Sequence, residues 1–358
     1  MARMRYEPFA RGPHPVGVRS ADLVDAGRDR RLAVEVWYPA TAGHRGRDLD
    51  AETCDRYELL PGLPLVVQDA VRDAEPAPGR FPLVVFSHGY GGHRRQSTFL
   101  CTHLASHGYV VAATDHFGNT IRDVMEHMLA TRAGRPVPDF VEHLLEVARQ
   151  RPVDASWLID RILDGTAGDV AARVDAECIG IAGHSFGGWT TLATTGRDPR
   201  IRAALPLAPA GGSLASLANP LSERLDLEWS RDVPTLFVVA DRDSILPLPS
   251  MHDLLARTRT SKRMVVLGNT DHMHFCDRAA QAHEMFRAFP PPGFFEDAAK
   301  ATVPFAELCP EEPAYDAIRG LGLAHMDATL KAHAPAAEFM GGELAARLGA
   351  RGIDVVVH

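Results

Sequence analysis

Ser185 lies in the run Gly183-His184-Ser185-Phe186-Gly187-Gly188, between a segment that reads as a strand (ECIGIAGHS, 177–185) and one that reads as a helix (FGGWTTLATTG, 186–196). A G-x-S-x-G sequence in that setting marks a sharp turn that lifts a serine above the end of a sheet. Gly183 and Gly187 let strand and helix approach each other. The helix N-terminus then favours negative charge developing beside the serine. The chemistry served by this arrangement is nucleophilic attack on an acyl carbon.

A serine hydroxyl is a poor nucleophile at neutral pH and needs an imidazole base, held in turn by a carboxylate. In strand–turn–helix sites these follow in the order Ser, Asp or Glu, His. The segment PTLFVVADRDSILP (234–247) offers Asp241 and Asp243 at the carboxyl end of a predicted strand. Asp243 is the expected acid; Asp241 is the alternative, otherwise capping the turn. RMVVLGNTDHMHFCD (263–277) offers His272 and His274 just after the next strand. His272 is the expected base and His274 the alternative, with Asp271 capping the loop. The tetrahedral oxyanion needs preorganised donors. One is expected from the Phe186 N–H, which follows the nucleophile. The other is assigned to Tyr90 N–H in the glycine-rich exit SHGYGG (87–92), with His88 as a structural loop residue. No cofactor and no metal is required.

These residues must be carried by a sheet. FPLVVFSH (81–88) and YVVAATDH (109–116) are continuous apolar runs, as expected of strands buried on both faces. STFLCTHLASHG (97–108) reads as the helix between them. Further strands are expected at 201–209, 234–241 and 263–269, with a helix at 250–259. Strands alternating with helices predict an α/β fold with a mostly parallel sheet covered on both faces. RLAVEVWYPA (31–40) is expected at an antiparallel edge. Helices are expected near 140–149 and over 154–165, the latter after Pro152 with Asp154 as N-cap. Trp189 is expected in the core. Helices near 321–333 and 335–348 and a short strand at 353–357 complete the reading. Residues 41–80, 117–150 and 286–305 are candidate rim or lid segments of a single domain spanning 1–358.

Composition bounds the partners. The chain has 358 residues, 46% of them hydrophobic, and 38 basic against 46 acidic residues give a formal charge of -8, which excludes an electrostatic nucleic-acid binder. No run approaches a membrane span. The first twenty residues hold no apolar core of a signal peptide. The chain is therefore expected to be cytoplasmic, or secreted if a leader has been removed. Five cysteines in an irregular spacing suit a reduced protein, with a Cys276–Cys309 bond as the alternative. Alternation of His272, His274 and Cys276 is also compatible with a metal site.

LVVFSHGYGG, GHSFGG, ADRDSILP and TDHMHFCD together resemble the α/β-hydrolase superfamily. Within it they are similar to a bacterial branch near platelet-activating-factor acetylhydrolase, dienelactone-hydrolase-like proteins and polyester hydrolases. VEVWYPA (34–40), DHFGNT (115–120) and RPVDASWLID (151–160) strengthen the resemblance, which spans roughly residues 31–280. It implies a serine hydrolase cleaving small-molecule, lipid or polymer esters through an acyl-enzyme. In the mammalian acetylhydrolase the acid follows the strand just after the nucleophile helix. Here that strand ends LPLAPAGG (205–212), with Ala208 at the corresponding place, so the resemblance too points to Asp243. Dienelactone hydrolases use a cysteine where this chain has Ser185. Acyl transfer or thioester hydrolysis would use the same residues, and a non-catalytic ligand-binding protein is the reading of another class.

Overall fold

A computed structural model describes residues 6–213 and 218–358. In chain order the strands are β1 (Val16–Asp25), β2 (Arg30–Pro39), β3 (Asp55–Tyr57), β4 (Val66–Gln68), β5 (Val71–Arg72), β6 (Phe81–Ser87), β7 (Val110–Thr114), β8 (Val174–His184), β9 (Ile201–Leu207), β10 (Thr235–Ala240), β11 (Lys262–Leu267) and β12 (Val355–Val357). The helices are α1 (Thr98–Ser106), α2 (Ile121–Arg132), α3 (Phe140–Leu163), α4 (Phe186–Arg197), α5 (Ala218–Ser222), α6 (Leu248–Arg257), α7 (Ala279–Ala288), α8 (Phe294–Ala301), α9 (Glu311–Leu330), α10 (Ala334–Gly341) and α11 (Leu344–Gly349).

Among the described residues ten strands form one sheet in the order β12-β11-β10-β9-β8-β6-β7-β2-β1-β5. Strands β6 to β11 run parallel; β12 is antiparallel to β11 at one side, and at the other β2 is antiparallel to β7 and β1 to β2, with β5 parallel to β1. The uninterrupted apolar runs reflect burial on both faces. In β6, Leu83 and Val85 join the core with α3, α4 and α6, whereas Val84 and Phe86 join the core with α1, α9 and α10. The chain passes from β6 to β7 on one side and returns to lay β8 on the other. Ser87 pairs with Gly183 at the carboxyl end of that β6–β8 seam. A doubly wound sheet opens its crevice at such a reversal, and the loops leaving β6 and β8 are SHGYGG and GHSFGG.

Three expectations change. The 31–40 strand is antiparallel but internal, because β1 covers its outer side over a full ten-residue register. The break at Pro152 is absent: α3 runs for 24 residues through it. Asp154 is consequently no N-cap. It is fully buried and held by Arg28, Arg30 and His116. Those bonds and the apolar stripe from Leu144 to Ile162 offset the backbone bond lost at the proline, which with its ring clash is worth about 3 kcal/mol. The 41–80 excursion is structured in part. Its Asp55 and Arg72 pair with each other, and Arg72 also reaches the buried Glu35 of β2. All five cysteines are free, so the Cys276–Cys309 bond is not formed. The C-terminal strand is present as β12.

Candidate active site

The turn at Ser185 explains its glycines. Ser185 has φ +60° and ψ −117°, a conformation that L-residues adopt only when the surroundings enforce it. Its N–H donates to Leu207 O at 2.9 Å, and its carbonyl accepts from Ala210 N–H and Trp189 N–H. A methyl at Gly183 would lie 2.3 Å from Gly187 O, and one at Gly187 only 1.8 Å from Ser87 O. Any side chain at either position would push strand and helix apart. Phe186 opens α4, so Ser185 is aligned with a helix N-terminus. Trp189 is buried and donates to Leu221 O, a core role as expected.

Asp243 and His272 leave neighbouring parallel strands, β10 and β11, and meet beside this turn. Asp243 Oδ2 is 2.6 Å from His272 Nδ1. Its other oxygen accepts from Ile245 N–H at 2.9 Å and Leu246 N–H at 2.7 Å. Both side chains are almost fully buried. Burial pulls the His272 imidazole down, but the Asp243 carboxylate outweighs it and the net shift is upward. Burial pushes Asp243 up, opposed by His272 and the Leu246 N–H. His184, next to the serine, lies with its ring centroid 4.5 Å from that of His272.

The alternatives have other work. Asp241 accepts from Thr270 N–H. His274 bonds Cys309 O through Nε2, and its Nδ1 accepts from Asp271 N–H. Asp271 caps the turn His272–Phe275 and pairs with His283 at 3.0 Å. His272 and His274 thus face different partners, and the described residues hold no group of three or more potential metal ligands.

The loop after β6 is held from several sides. His88 Nε2 accepts from His116 N–H and its Nδ1–H donates to Gly89 O, a structural role as expected. Gly89 N–H donates to Gln96 Oε1, Gly91 N–H to Asn119 O and Gly92 N–H to Gly89 O. Among the described residues neither Tyr90 N–H nor Phe186 N–H has an acceptor, which leaves both able to bind an oxyanion. Arg151 of α3, wholly buried, donates to His88 O, Asn119 Oδ1, Ser87 Oγ and Thr190 Oγ1, and lies over the Phe186 ring at 4.5 Å. Burial lowers this guanidinium to about 9. Ser87, His116 and Asp154 form a second Ser-His-Asp chain (2.9 and 3.1 Å), but it is sealed from solvent and Arg151 occupies the serine oxygen. Its work is structural. The sequence reading missed Arg151, His116 and Gln96; the signal available was Arg and Asp three residues apart inside an apolar helix.

Two of the rim segments reach the site. The Tyr90 ring stacks on Phe295 of α8 (5.6 Å, 23°) and meets Phe140 of α3 edge-on at 5.7 Å. The 41–80 segment instead braces the loop from behind, with Tyr57 under the Arg95 guanidinium at 4.6 Å.

With this geometry in view, the family model for platelet-activating factor acetylhydrolase, isoform II, matches residues 64–124, which include the Tyr90 loop. The PET hydrolase-like model matches residues 148–288, which include Ser185, Asp243 and His272. Cutinase est1 of Thermobifida alba is 30% identical over 194 residues, 53% of this chain and 52% of that protein. Platelet-activating factor acetylhydrolase of Bos taurus is 29% identical over 154 residues, 36% of this chain and 35% of that protein. The chain thus spans about half the length, or less, of the curated relatives it matches. A ferulic acid esterase from Streptomyces cinnamoneus superposes with a TM-score of 0.62 at 27% identity, covering 90% of this chain and 92% of that one. Sheet order, elbow and these likenesses make the chain a member of the α/β-hydrolase superfamily. Among the described residues no helix is long and apolar enough to cross a membrane.

Proposed function

We propose that this chain is a serine hydrolase of carboxylic esters, acting as one catalytic domain without a cofactor. Ser185 attacks the ester carbonyl and His272 Nε2 takes its proton. Asp243 holds the Nδ1–H tautomer and stabilises the imidazolium. The N–H groups of Tyr90 and Phe186 bind the oxyanion. His272 then protonates the leaving alcohol, and water deacylates Ser185 by the same route. The observation that carries this reading is the 2.6 Å Asp243–His272 contact beside a serine held at positive φ.

The aromatic wall of Tyr90, Phe140 and Phe295 favours apolar or aromatic acyl groups. Likeness to cutinases and to a ferulic acid esterase supports the same substrate classes. The test is hydrolysis of p-nitrophenyl esters from acetate to palmitate, and of methyl ferulate, by wild type and Ser185→Ala. Turnover that vanishes in the variant, with fluorophosphonate labelling confined to Ser185, is expected. Turnover retained by Ser185→Ala refutes the mechanism. A folded wild type that neither turns over nor labels refutes the enzyme reading in favour of a ligand-binding protein.

A further inference from the structure

Gln96 bridges three segments that are distant in sequence. It follows the glycine-rich loop, is 7% exposed, and has both ends of its carboxamide engaged. Oε1 accepts from Gly89 N–H at 2.9 Å, and Nε2 lies 3.0 Å from His184 Nδ1. Its main-chain oxygen accepts from Asp277 N–H at 2.8 Å, in the segment that follows His272.

The first of these bonds fixes the amide orientation, since only the oxygen can accept from Gly89. The group facing His184 is therefore NH₂, which can only donate. His184 Nδ1 must then present its lone pair, and its proton sits on Nε2. Cys276 Sγ is the other neighbour of that nitrogen, at 3.7 Å. Burial, then the His272 imidazole, holds His184 well below the usual range, so it is a neutral acceptor.

The glycines of the loop fit this side chain. A methyl on Gly92 would sit 2.2 Å from Gln96 Oε1, although the Gly92 backbone is in a region any residue can adopt. A methyl on Gly89 would lie 3.3 Å from Ser185 Cβ and 3.4 Å from Gln96 Oε1. Gly92 thus leaves the room that the carboxamide fills, and Gly89 lies against both the amide and the serine.

We infer that Gln96 is a positioning residue for the reaction: its carboxamide pins the Tyr90 loop to the Ser185 turn and so sets the spacing between the two oxyanion donors. The inference rests on the esterase reading given above. Tyr90 N–H follows Gly89 directly and Phe186 N–H follows His184 by two residues, so one amide controls both donors from behind. An oxyanion hole is effective only when its donors are already in place, and a misplacement of about 1 Å costs on the order of 10²-fold.

The experiment compares Gln96→Met, Gln96→Glu and Gly92→Ala with wild type. Methionine keeps the volume and loses both hydrogen bonds. Glutamate keeps the acceptor for Gly89 and cannot donate to His184. Gly92→Ala displaces the amide, with a lesser crowding of the His88 side chain, while leaving Gln96 in the chain. The expected result for Gln96→Met and Gly92→Ala is a fall in kcat of about 10- to 100-fold with KM within about threefold. Gln96→Glu is expected to retain more kcat than Gln96→Met. Its acid limb should move upward, because a carboxylate near His184 adds to Asp243 and Asp271 in favouring protonated His272. A Gln96→Met enzyme with wild-type kcat per folded molecule overturns the inference, whatever its Tm. Amide hydrogen exchange at Gly89 needs no substrate and should quicken in Gln96→Met; unchanged protection overturns the tether. A wild type inert toward esters and phosphonates removes the catalytic reading, and with it the kinetic role, while the exchange result still decides whether the tether exists.

Discussion

Replacing Asp243 by asparagine changes one atom, and the local hydrogen bonds dictate the outcome. One carboxylate oxygen takes two backbone N–H groups, from Ile245 and Leu246, and the other faces His272 Nδ1. The amide of asparagine must choose which side receives its oxygen. Turning NH₂ toward Ile245 and Leu246 would set donor against donor twice in a buried site. Two lost bonds with their donors left unpaired cost roughly 3 kcal/mol or more. At about 1.4 kcal/mol per tenfold, more than 99% of molecules keep the oxygen on the backbone side. NH₂ then faces His272 and forces its proton from Nδ1 to Nε2, the nitrogen that in the proposed mechanism takes the serine proton and, once protonated, cannot do so. Turnover should fall roughly 10³- to 10⁴-fold while Tm changes little, since the loop bonds survive. Asp243→Ala should lose comparable turnover and, in addition, about 2 kcal/mol from the loop bonds. The assay is kcat on a p-nitrophenyl ester with urea melts of each variant. An Asp243→Asn enzyme within tenfold of wild type would refute the assignment and move the acid to another residue.

Three further outcomes are expected. The acid limb of kcat/KM should have its midpoint above the ordinary histidine value of 6.5, because Asp243 raises His272 and the base must be neutral; a pH–rate profile with no acid limb contradicts this. Arg151→Met should lose about 3 kcal/mol or more in urea melts, because Asn119 Oδ1, His88 O and Ser87 Oγ are left without their buried donor. Burial holds His116 and His325 at about 4 in the folded chain, below their unfolded value. Their share of stability is therefore present above pH 6.5 and lost as pH falls toward 4, and His325→Gln should flatten urea-melt stability over that window by up to about 3 kcal/mol.

Much of the site could be read from the chain because its constraints are local. Ser185 declares itself by flanking glycines that nothing larger can replace, and Asp243 and His272 by following strands whose apolar runs are unbroken. Choosing Asp243 over Asp241 and His272 over His274 depended on position alone, and the rejected pair turn out to bond backbone groups. What escaped is what is settled by distant partners. Pro152 ordinarily ends a helix, but ion pairs from Arg28 and Arg30 to Asp154, more than 120 residues away in sequence, lie beside it in α3. The internal position of β2 depends on β1, whose residues from Ser20 to Asp22 carry too little apolar character to stand out. Gln96 lies in none of the quoted runs, and Arg151, although it opens the run 151–160, shows nothing of its role there, since the partners of both come from other segments of the chain.

The tie between α1 and the segment after His272 has a kinetic consequence. Asp277 accepts from Thr98 N–H, Thr98 Oγ1 and Phe99 N–H, and Ser97 donates to Phe275 O, so the start of a helix near residue 98 is capped from nearly 180 residues later in the chain. Closing such a long loop costs entropy that local contacts cannot repay early. The serine turn needs β6, β8, α4 and the end of β9, whereas the His272 segment also waits on this long-range closure. Fluorophosphonate reactivity during refolding should therefore appear with the slowest native signal, lagging behind the gain of helix. Ser185 thereby serves as a clock for the final closure of the sheet.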